Sequence, residues 1–311
     1  MRLITKDKIS SRLSRLALRA ALAQAFIDFS EGRARSGGVG HLAFRDPPGD
    51  FHIKSSATVG QPFFVVKAAG SFYRNPALDL PSSNGAMLLF RSDTGEPVAC
   101  LADEGWLTDA RTACAGAIAA SLVGHSTTDT IGVVGSGTQA RMQADWIARE
   151  LGDPTVLLWA RDPRKGALAV QDLRDAGLRA EHEPDLRQLA GRSDLVVTTT
   201  PSCEPLILQS DARPGLRIVA VGSDAPGKRE VARELVERCD VIVVDSRDQC
   251  LAYGECAGLD PASHSAPIFE IGELLKTNQP TVFEADATVL VDLTGLGALD
   301  AAAASLFVAD R

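Results

Sequence analysis

Three ionisable residues stand where chemistry on a small anion would need them. Lys67 closes the apolar run Phe63-Phe64-Val65-Val66. A lysine there can bind a substrate carboxylate or sit beside an imine carbon, because its ammonium is compact and its pKa tunable. The plainer reading is a strand-end lysine in solvent. Arg111, in Leu107-Thr108-Asp109-Ala110-Arg111-Thr112-Ala113, falls at the first turn of an otherwise apolar helix, where the helix dipole disfavours a cation. It needs an anion, either a ligand or its neighbour Asp109. Asp224, in Gly222-Ser223-Asp224-Ala225-Pro226-Gly227-Lys228, follows an apolar strand. Its carboxyl group can exchange a proton with a substrate nitrogen, or it can serve as a cap.

A second group of residues suits a dinucleotide. Ile131 to Val134 is a short β-branched run, Gly135-Ser136-Gly137 a tight turn, and Met142 to Glu150 reads as a helix. Such a turn aims unpaired N–H groups and the positive end of a helix dipole at an approaching pyrophosphate. Gly135, Gly137 and Ala140 fit the G-x-G-x-x-G/A fingerprint, in which the third position only has to let helix and strand pack closely. The next apolar run, Thr155 to Trp159, is placed as a second strand that delivers the ribose-binding residue. It is followed by Arg161, with Arg164 and Lys165 close behind. A cation suits the 2′-phosphate of NADP(H), whereas NAD(H) calls for an acid, which only a shifted turn through Asp162 would supply.

The elements that must position these residues fall into two patterns. Residues 9 to 31 have helical apolar spacing, with Ser10 or Ser11 as a possible cap. Gly32 to Asp50 reads as loop with a short strand near His41 to Phe44. Phe63 to Ala68, Gly85 to Arg91 and Pro97 to Asp103 read as strands of one antiparallel or mixed sheet, the last two forming a hairpin across Asp93-Thr94-Gly95. An Ala-rich helix, Asp109 to Val123, then leads into the nucleotide strand. Strands at Leu195 to Thr198, Ile218 to Val221 and Val241 to Val244 alternate with helical or looped connections, the pattern of a parallel sheet. Ligands bind beyond the carboxyl ends of such strands, which brings Thr199 and Gly222 to the cofactor. The tail, Val291 to Val308, carries an Ala-rich helical stretch that returns to the N-terminal part. The fold class expected is α/β: a Rossmann-type parallel sheet over 113–292, plus an α+β domain over 1–112 to which 293–311 returns, the part that the resemblance named below implies for substrate binding and dimerisation.

Composition narrows the class of partner. The chain has 311 residues, 45% hydrophobic and 23% charged, with a formal net charge of -8. That is long enough for about two domains, and the charge gives no basic field for nucleic acid or an anionic membrane. Its 6 cysteines lack C-x-x-C spacing, so a zinc site and a disulfide framework are not expected. No stretch has signal-peptide character or membrane-span length, and a cytoplasmic location is expected.

The quoted segments together resemble the ornithine cyclodeaminase/mu-crystallin family. The similarity is carried by Lys67 ending its strand, GAMLLFRSDTGEPVACLADEGWLTDARTA, GVVGSGTQA, and VGSDAPGKRE followed by a strand and Asp245-Ser246. These run in the family's order over nearly the whole chain. The resemblance implies a homodimer built through the N-terminal sheet, Lys67 and Arg111 on the substrate carboxylate, Asp224 as acid/base, and Gly135, Gly137, Thr138 and Gln139 around the pyrophosphate. It also implies an enzyme: a cyclodeaminase, a ketimine reductase or an alanine-type dehydrogenase, with a non-catalytic crystallin-like binder as the alternative of another class.

One departure separates these activities. Where the cyclodeaminases carry a glutamate about a dozen residues before the lysine, this chain reads Phe51-His52-Ile53-Lys54-Ser55-Ser56, with no acidic residue from Phe51 to Val66. A site with Lys54, Lys67 and Arg111 and no glutamate favours an anionic imino acid over a diamino acid, although Lys54 can equally point to solvent. The leading expectation is NADPH-dependent reduction of a cyclic ketimine such as Δ1-pyrroline-2-carboxylate, with NAD-dependent ornithine cyclodeamination as the alternative.

Overall fold

Alternating burial organises the N-terminal sheet of the computed structural model, which describes residues 1–125, 127–261, 264–277 and 283–308. A short strand, β1 (Arg2–Thr5), leads into α1 (Lys6–Arg12) and α2 (Arg15–Ser30). The single helix expected over 9–31 is broken at Leu13-Ser14. Ser14, not Ser10 or Ser11, caps α2 by accepting the N–H of Ala17, while the hydroxyls of Ser10 and Ser11 donate to the Asp7 carbonyl inside α1. Leu18, Leu22, Ala25 and Phe26 then form one buried helical face.

The sheet strands are β2 (Ala34–Ser36), β3 (Gly40–Arg45), β4 (Pro48–Thr58), β5 (Phe63–Phe72), β6 (Ser83–Arg91) and β7 (Pro97–Ala102). Their order is β1-β7-β6-β5-β4-β2, with β3 pairing on β4. β1 is parallel to β7 and the other pairings are antiparallel. Inward positions alternate: Val65, Lys67 and Ala69 on β5, Met87 and Leu89 on β6, Ala99 and Leu101 on β7. Gly95, at φ 72°, makes the β6–β7 turn. β4 begins inside the stretch that reads as loop.

Next comes α3 (Trp106–Val123), which opens three residues before the Asp109 start expected of it. It is followed by β8 (Thr130–Val134), α4 (Thr138–Glu150), β9 (Thr155–Trp159), α5 (Pro163–Asp175), β10 (Ala180–His182), α6 (Leu186–Arg192), β11 (Leu195–Thr198) and β12 (Arg217–Ala220). The remaining elements are α7 (Arg233–Val236), β13 (Val241–Val244), α8 (Arg247–Tyr253), β14 (Ile268–Glu270), α9 (Ile271–Lys276), β15 (Val289–Asp292) and α10 (Gly297–Ser305). The second sheet is parallel throughout, ordered β10-β9-β8-β11-β12-β15-β13-β14. β11, β12 and β15 are buried along their whole length, as strands covered on both faces must be. The chain order reverses between β8 and β11, so the carboxyl ends of these two strands form the topological switch point.

The chain thus divides into two compact units, Met1–Arg111 with the segment from Leu296, and Thr112–Gly295. Within the first, α10 packs on α2, β4 and β5. The first two residues of the tail read over Val291 to Val308 belong to β15 (Val289–Asp292), a strand of the second sheet, and its helical stretch is α10. Among the described residues no helix is long and apolar enough to cross a membrane, and no cluster of His, Cys, Asp and Glu could hold a metal ion. All six cysteines are free.

Candidate active site

In the first unit the sheet and α10 build a buried charge cluster. Lys67 lies mid-strand in β5, not at its end, and points inward with 3% exposure; the solvent reading fails. Its Nζ lies 2.8 Å from Oδ2 of Asp300. The other carboxylate oxygen, Oδ1, accepts from Arg111 Nε at 2.8 Å. Asp300 is fully buried on α10, and Gly297, one turn earlier, is where α10 touches β4: an added Cβ would sit 3.1 Å from Ser56 Cβ. The anion that Arg111 requires is thus supplied by Asp300. Because α3 opens at Trp106, Arg111 lies in its second turn.

Lys54 belongs to the same cluster. It is the cross-strand partner of Lys67 between β4 and β5 and is buried, so it does not point to solvent. Like charges directly opposite one another are destabilising, and burial disfavours charge further. Burial draws the Lys67 amine down to about 7; Asp300 resists this, while Arg111 and Lys54 add to it. Burial raises the Asp300 carboxyl, but Arg111 and Lys67 outweigh it and hold the group below the usual carboxylate range. The carboxylate of Asp300 thus pairs with Lys67 and Arg111 and lies in the field of Lys54. Asp300 escaped the sequence reading: it is the one charge in GALDAAAAS, but an acid in a helix's first turn suits the dipole and so raises no question of a partner.

The second unit builds a phosphate-type turn. Gly135, at φ 129°, would with a Cβ come within 2.5 Å of Thr199 Oγ1, so glycine is required where β8 passes the end of β11. An added Cβ at Gly137 would meet nothing within 4 Å. Gly137 and Thr138 are exposed, while Ala140 is buried against the strand. α4 opens at Thr138 with Gly137 as its N-cap and no side chain capping it, leaving first-turn N–H groups for an anion. Gln139 lies in the same turn. Thr199 N–H bonds the Val134 carbonyl at 3.0 Å, which ties the end of β11 to the end of β8. These residues fit a dinucleotide pyrophosphate by shape and by donor chemistry.

Two residues beyond β9 stands Arg161, exposed. Asp162 caps α5, its Oδ1 accepting from Arg164 N–H at 3.0 Å, so its carboxylate is already engaged. Asp224 lies past β12 with its side chain 45% exposed and pairs with Lys228 Nζ at 2.7 Å. It caps no helix, since α7 opens only at Arg233. Its loop is closed by Ser223 Oγ donating to the Lys228 carbonyl at 2.9 Å. Sequence reasoning also passed over Glu230, which is fully buried. Its carboxylate accepts from Thr200 N and Gly222 N, and burial pushes its pKa up to about 7.

A parallel sheet with a glycine turn at its switch point defines an α/β protein of Rossmann type, here joined to an α+β unit with a buried cationic cluster. Comparison with known proteins places it further. The profile of the Ornithine cyclodeaminase/mu-crystallin family matches residues 2–311, and the chain belongs to that family. It is 36% identical to an uncharacterized cyclodeaminase of Sinorhizobium fredii over 84% of this chain and 80% of that protein. It is 28% identical to a Delta(1)-pyrroline-2-carboxylate reductase of Paracoccus denitrificans over 68% and 66% of the two chains. An archaeal alanine dehydrogenase dimer solved with bound NAD superposes with a TM-score of 0.86, at 26% identity and covering 98% of this chain and 94% of that one.

Proposed function

We propose that this protein is an NAD(P)H-dependent reductase of a small α-imino acid, with a cyclic ketimine such as Δ1-pyrroline-2-carboxylate as substrate. The observation that carries this reading is the buried pairing of Lys67 and Arg111 on the carboxylate of Asp300, with buried Lys54 opposite Lys67. Arg111 and Lys67 hold the substrate carboxylate, and Lys54 adds to the field. A nicotinamide dinucleotide held at Gly135, Gly137, Thr138, Gln139, Thr199 and Gly222 supplies the hydride to the imine carbon. The nitrogen gains a proton in the same reduction, and Asp224 orients or protonates it. Lys67, titrating at about 7, can also release a proton at neutral pH.

The rival activity, ornithine cyclodeamination, calls for a carboxylate that receives the side-chain amine. The position opposite Lys67 is Lys54, which repels that amine. Arg161 at the end of β9, with Asp162 engaged as a cap, favours NADP(H) over NAD(H). The test is the fall in nicotinamide absorbance with Δ1-pyrroline-2-carboxylate, run in parallel with NADPH and NADH. Turnover with higher kcat/KM for NADPH is expected. Ammonia released from ornithine with NAD, and no imine reduction, would replace this reading with cyclodeamination. Ligand binding without turnover of either substrate would leave a crystallin-like binder.

The proposal includes a homodimer through the N-terminal sheet. Among the described residues β3 pairs with β4 alone, and Leu42, Phe44 and Ile53 on these strands are exposed. An open strand edge with apolar side chains invites pairing, and the archaeal relative is a dimer. Sedimentation should give a dimer mass that Phe44→Glu shifts to monomer. A monomeric wild type would rule the assembly out.

A further inference from the structure

Glu230 holds together the two loops that follow β11 and β12. Its Oε1 accepts from Thr200 N at 2.5 Å and from Thr200 Oγ1 at 2.7 Å, and its Oε2 accepts from Gly222 N at 2.8 Å. The loops are pressed together as well: a Cβ on Gly222 would lie 2.2 Å from the Thr200 carbonyl and 2.4 Å from Glu230 Oε2. Glu230 is itself fixed. Its N–H and that of Val231 donate to the two oxygens of buried Glu255, at 2.7 and 3.1 Å, and its carbonyl accepts from Leu206 and Ile207. A carboxylate this deeply buried is costly unless its acceptors are filled, and here the donors come from the two loops beyond the strand ends.

Thr199 and Gly222 are the residues that the proposed function sets against the cofactor, and Asp224 follows two residues on. We propose that Glu230 is a positioning residue: by tying Thr200 to Gly222 it sets the floor under the nicotinamide end of the dinucleotide and the start of the Asp224 loop. It touches neither substrate nor hydride. The chemistry of the brace is specific to a carboxylate. Both Thr200 N–H and Gly222 N–H are obligate donors, one on each oxygen. Glutamine, isosteric but carrying an NH2, must set a donor against a donor at one of them, whereas aspartate keeps two acceptors and only shortens the reach.

This inference rests on the dinucleotide reading, and the test separates the two. NADPH binding is measured by calorimetry and turnover of Δ1-pyrroline-2-carboxylate by absorbance, for wild type, Glu230→Gln and Glu230→Asp. Loss of one or two buried acceptors should raise the NADPH Kd and lower kcat, each by about tenfold or more. The KM for the imino acid should hold within about twofold, because the brace does not bear on the carboxylate clamp. Glu230→Asp should recover part of both losses. Should thermal melting show Glu230→Gln unfolded, Thr200→Val carries the test: it removes one hydroxyl donor, keeps the N–H, and should move Kd and kcat in the same direction by less. NADPH affinity and kcat unchanged in a folded variant would overturn the positioning role while the dinucleotide reading stood. Wild type that binds no dinucleotide would overturn both.

Discussion

Asp300→Asn should lower the free energy of unfolding by about 3–5 kcal/mol, the range for breaking a buried ion pair by removing one partner. Asp300 is fully buried and its two oxygens are divided between Lys67 and Arg111. Asparagine keeps the shape but not the charge, and its NH2 sets a donor against a donor when turned toward Arg111. Lys67 has an escape: with its pKa already near 7, losing the carboxylate lets it shed its proton. Arg111 has none, since a guanidinium stays protonated in any protein environment. The cost therefore falls mainly on Arg111. A double-mutant cycle makes this checkable, because Asp300→Asn with Arg111→Met removes both halves of the pair. The double variant should be less destabilised than the sum of the singles by more than about 1 kcal/mol. Urea unfolding that shows Asp300→Asn costing no more than an exposed pair, about 0–1 kcal/mol, would dismiss the cluster as an energetic unit.

How much of this was legible in the sequence depended on what each strand buries. β9, β11 and β13 stand where the sequence puts them, because Thr155–Trp159, Leu195–Thr198 and Val241–Val244 are apolar on both faces and bounded by breakers. β4 reads as loop at its start and as nothing regular afterwards, because its inward positions are Lys54 and Ser56. Where apolar alternation should have marked the strand, the charge cluster had replaced it. The lysine that hid the strand also belongs to the candidate site. The end of β15 was absorbed into the tail since only four residues separate Asp292 from Gly297, and nothing local tells a buried strand from the start of a helix.

The candidate residues divide on similar lines. Gly135, Gly137 and Ala140 could be singled out because the fingerprint lies within one strand–turn–helix corner, although what demands glycine at 135 is the distant Thr199. Lys67 and Arg111 could be singled out, but not their partner: Asp300 lies 189 residues beyond Arg111, and no spacing rule reaches that far. Glu230 stayed hidden for a different reason. It closes the segment VGSDAPGKRE, in which Asp224 drew the chemical reading, and its partners Thr200 and Glu255 lie 30 and 25 residues away in the chain.

Arg111→Ala should reduce kcat/KM for the imino acid by about 10²–10³-fold, equivalent to about 3–4 kcal/mol of lost transition-state stabilisation. Asp300 engages Nε of the guanidinium, and a second carboxylate would use the forked terminal nitrogens. That binding is made in ground state and transition state alike, so the loss should appear mainly in KM. Arg111→Lys should restore little, because a lysine keeps the charge but not the fork. NADPH affinity should not move, since Gly135, Gly137 and Thr138 belong to the other unit. The variant should also change the pH response. Arg111 is one of the charges that lower the Lys67 pKa, while Asp300 raises it; without the guanidinium, Asp300 is left to Lys67 and its pKa rises from about 7. Any alkaline limb of the pH profile that belongs to Lys67 should then shift to higher pH, and Lys67→Met should abolish that limb. A loss of less than about threefold with an unshifted profile would mean that Arg111 serves the packing of α10 and not the substrate.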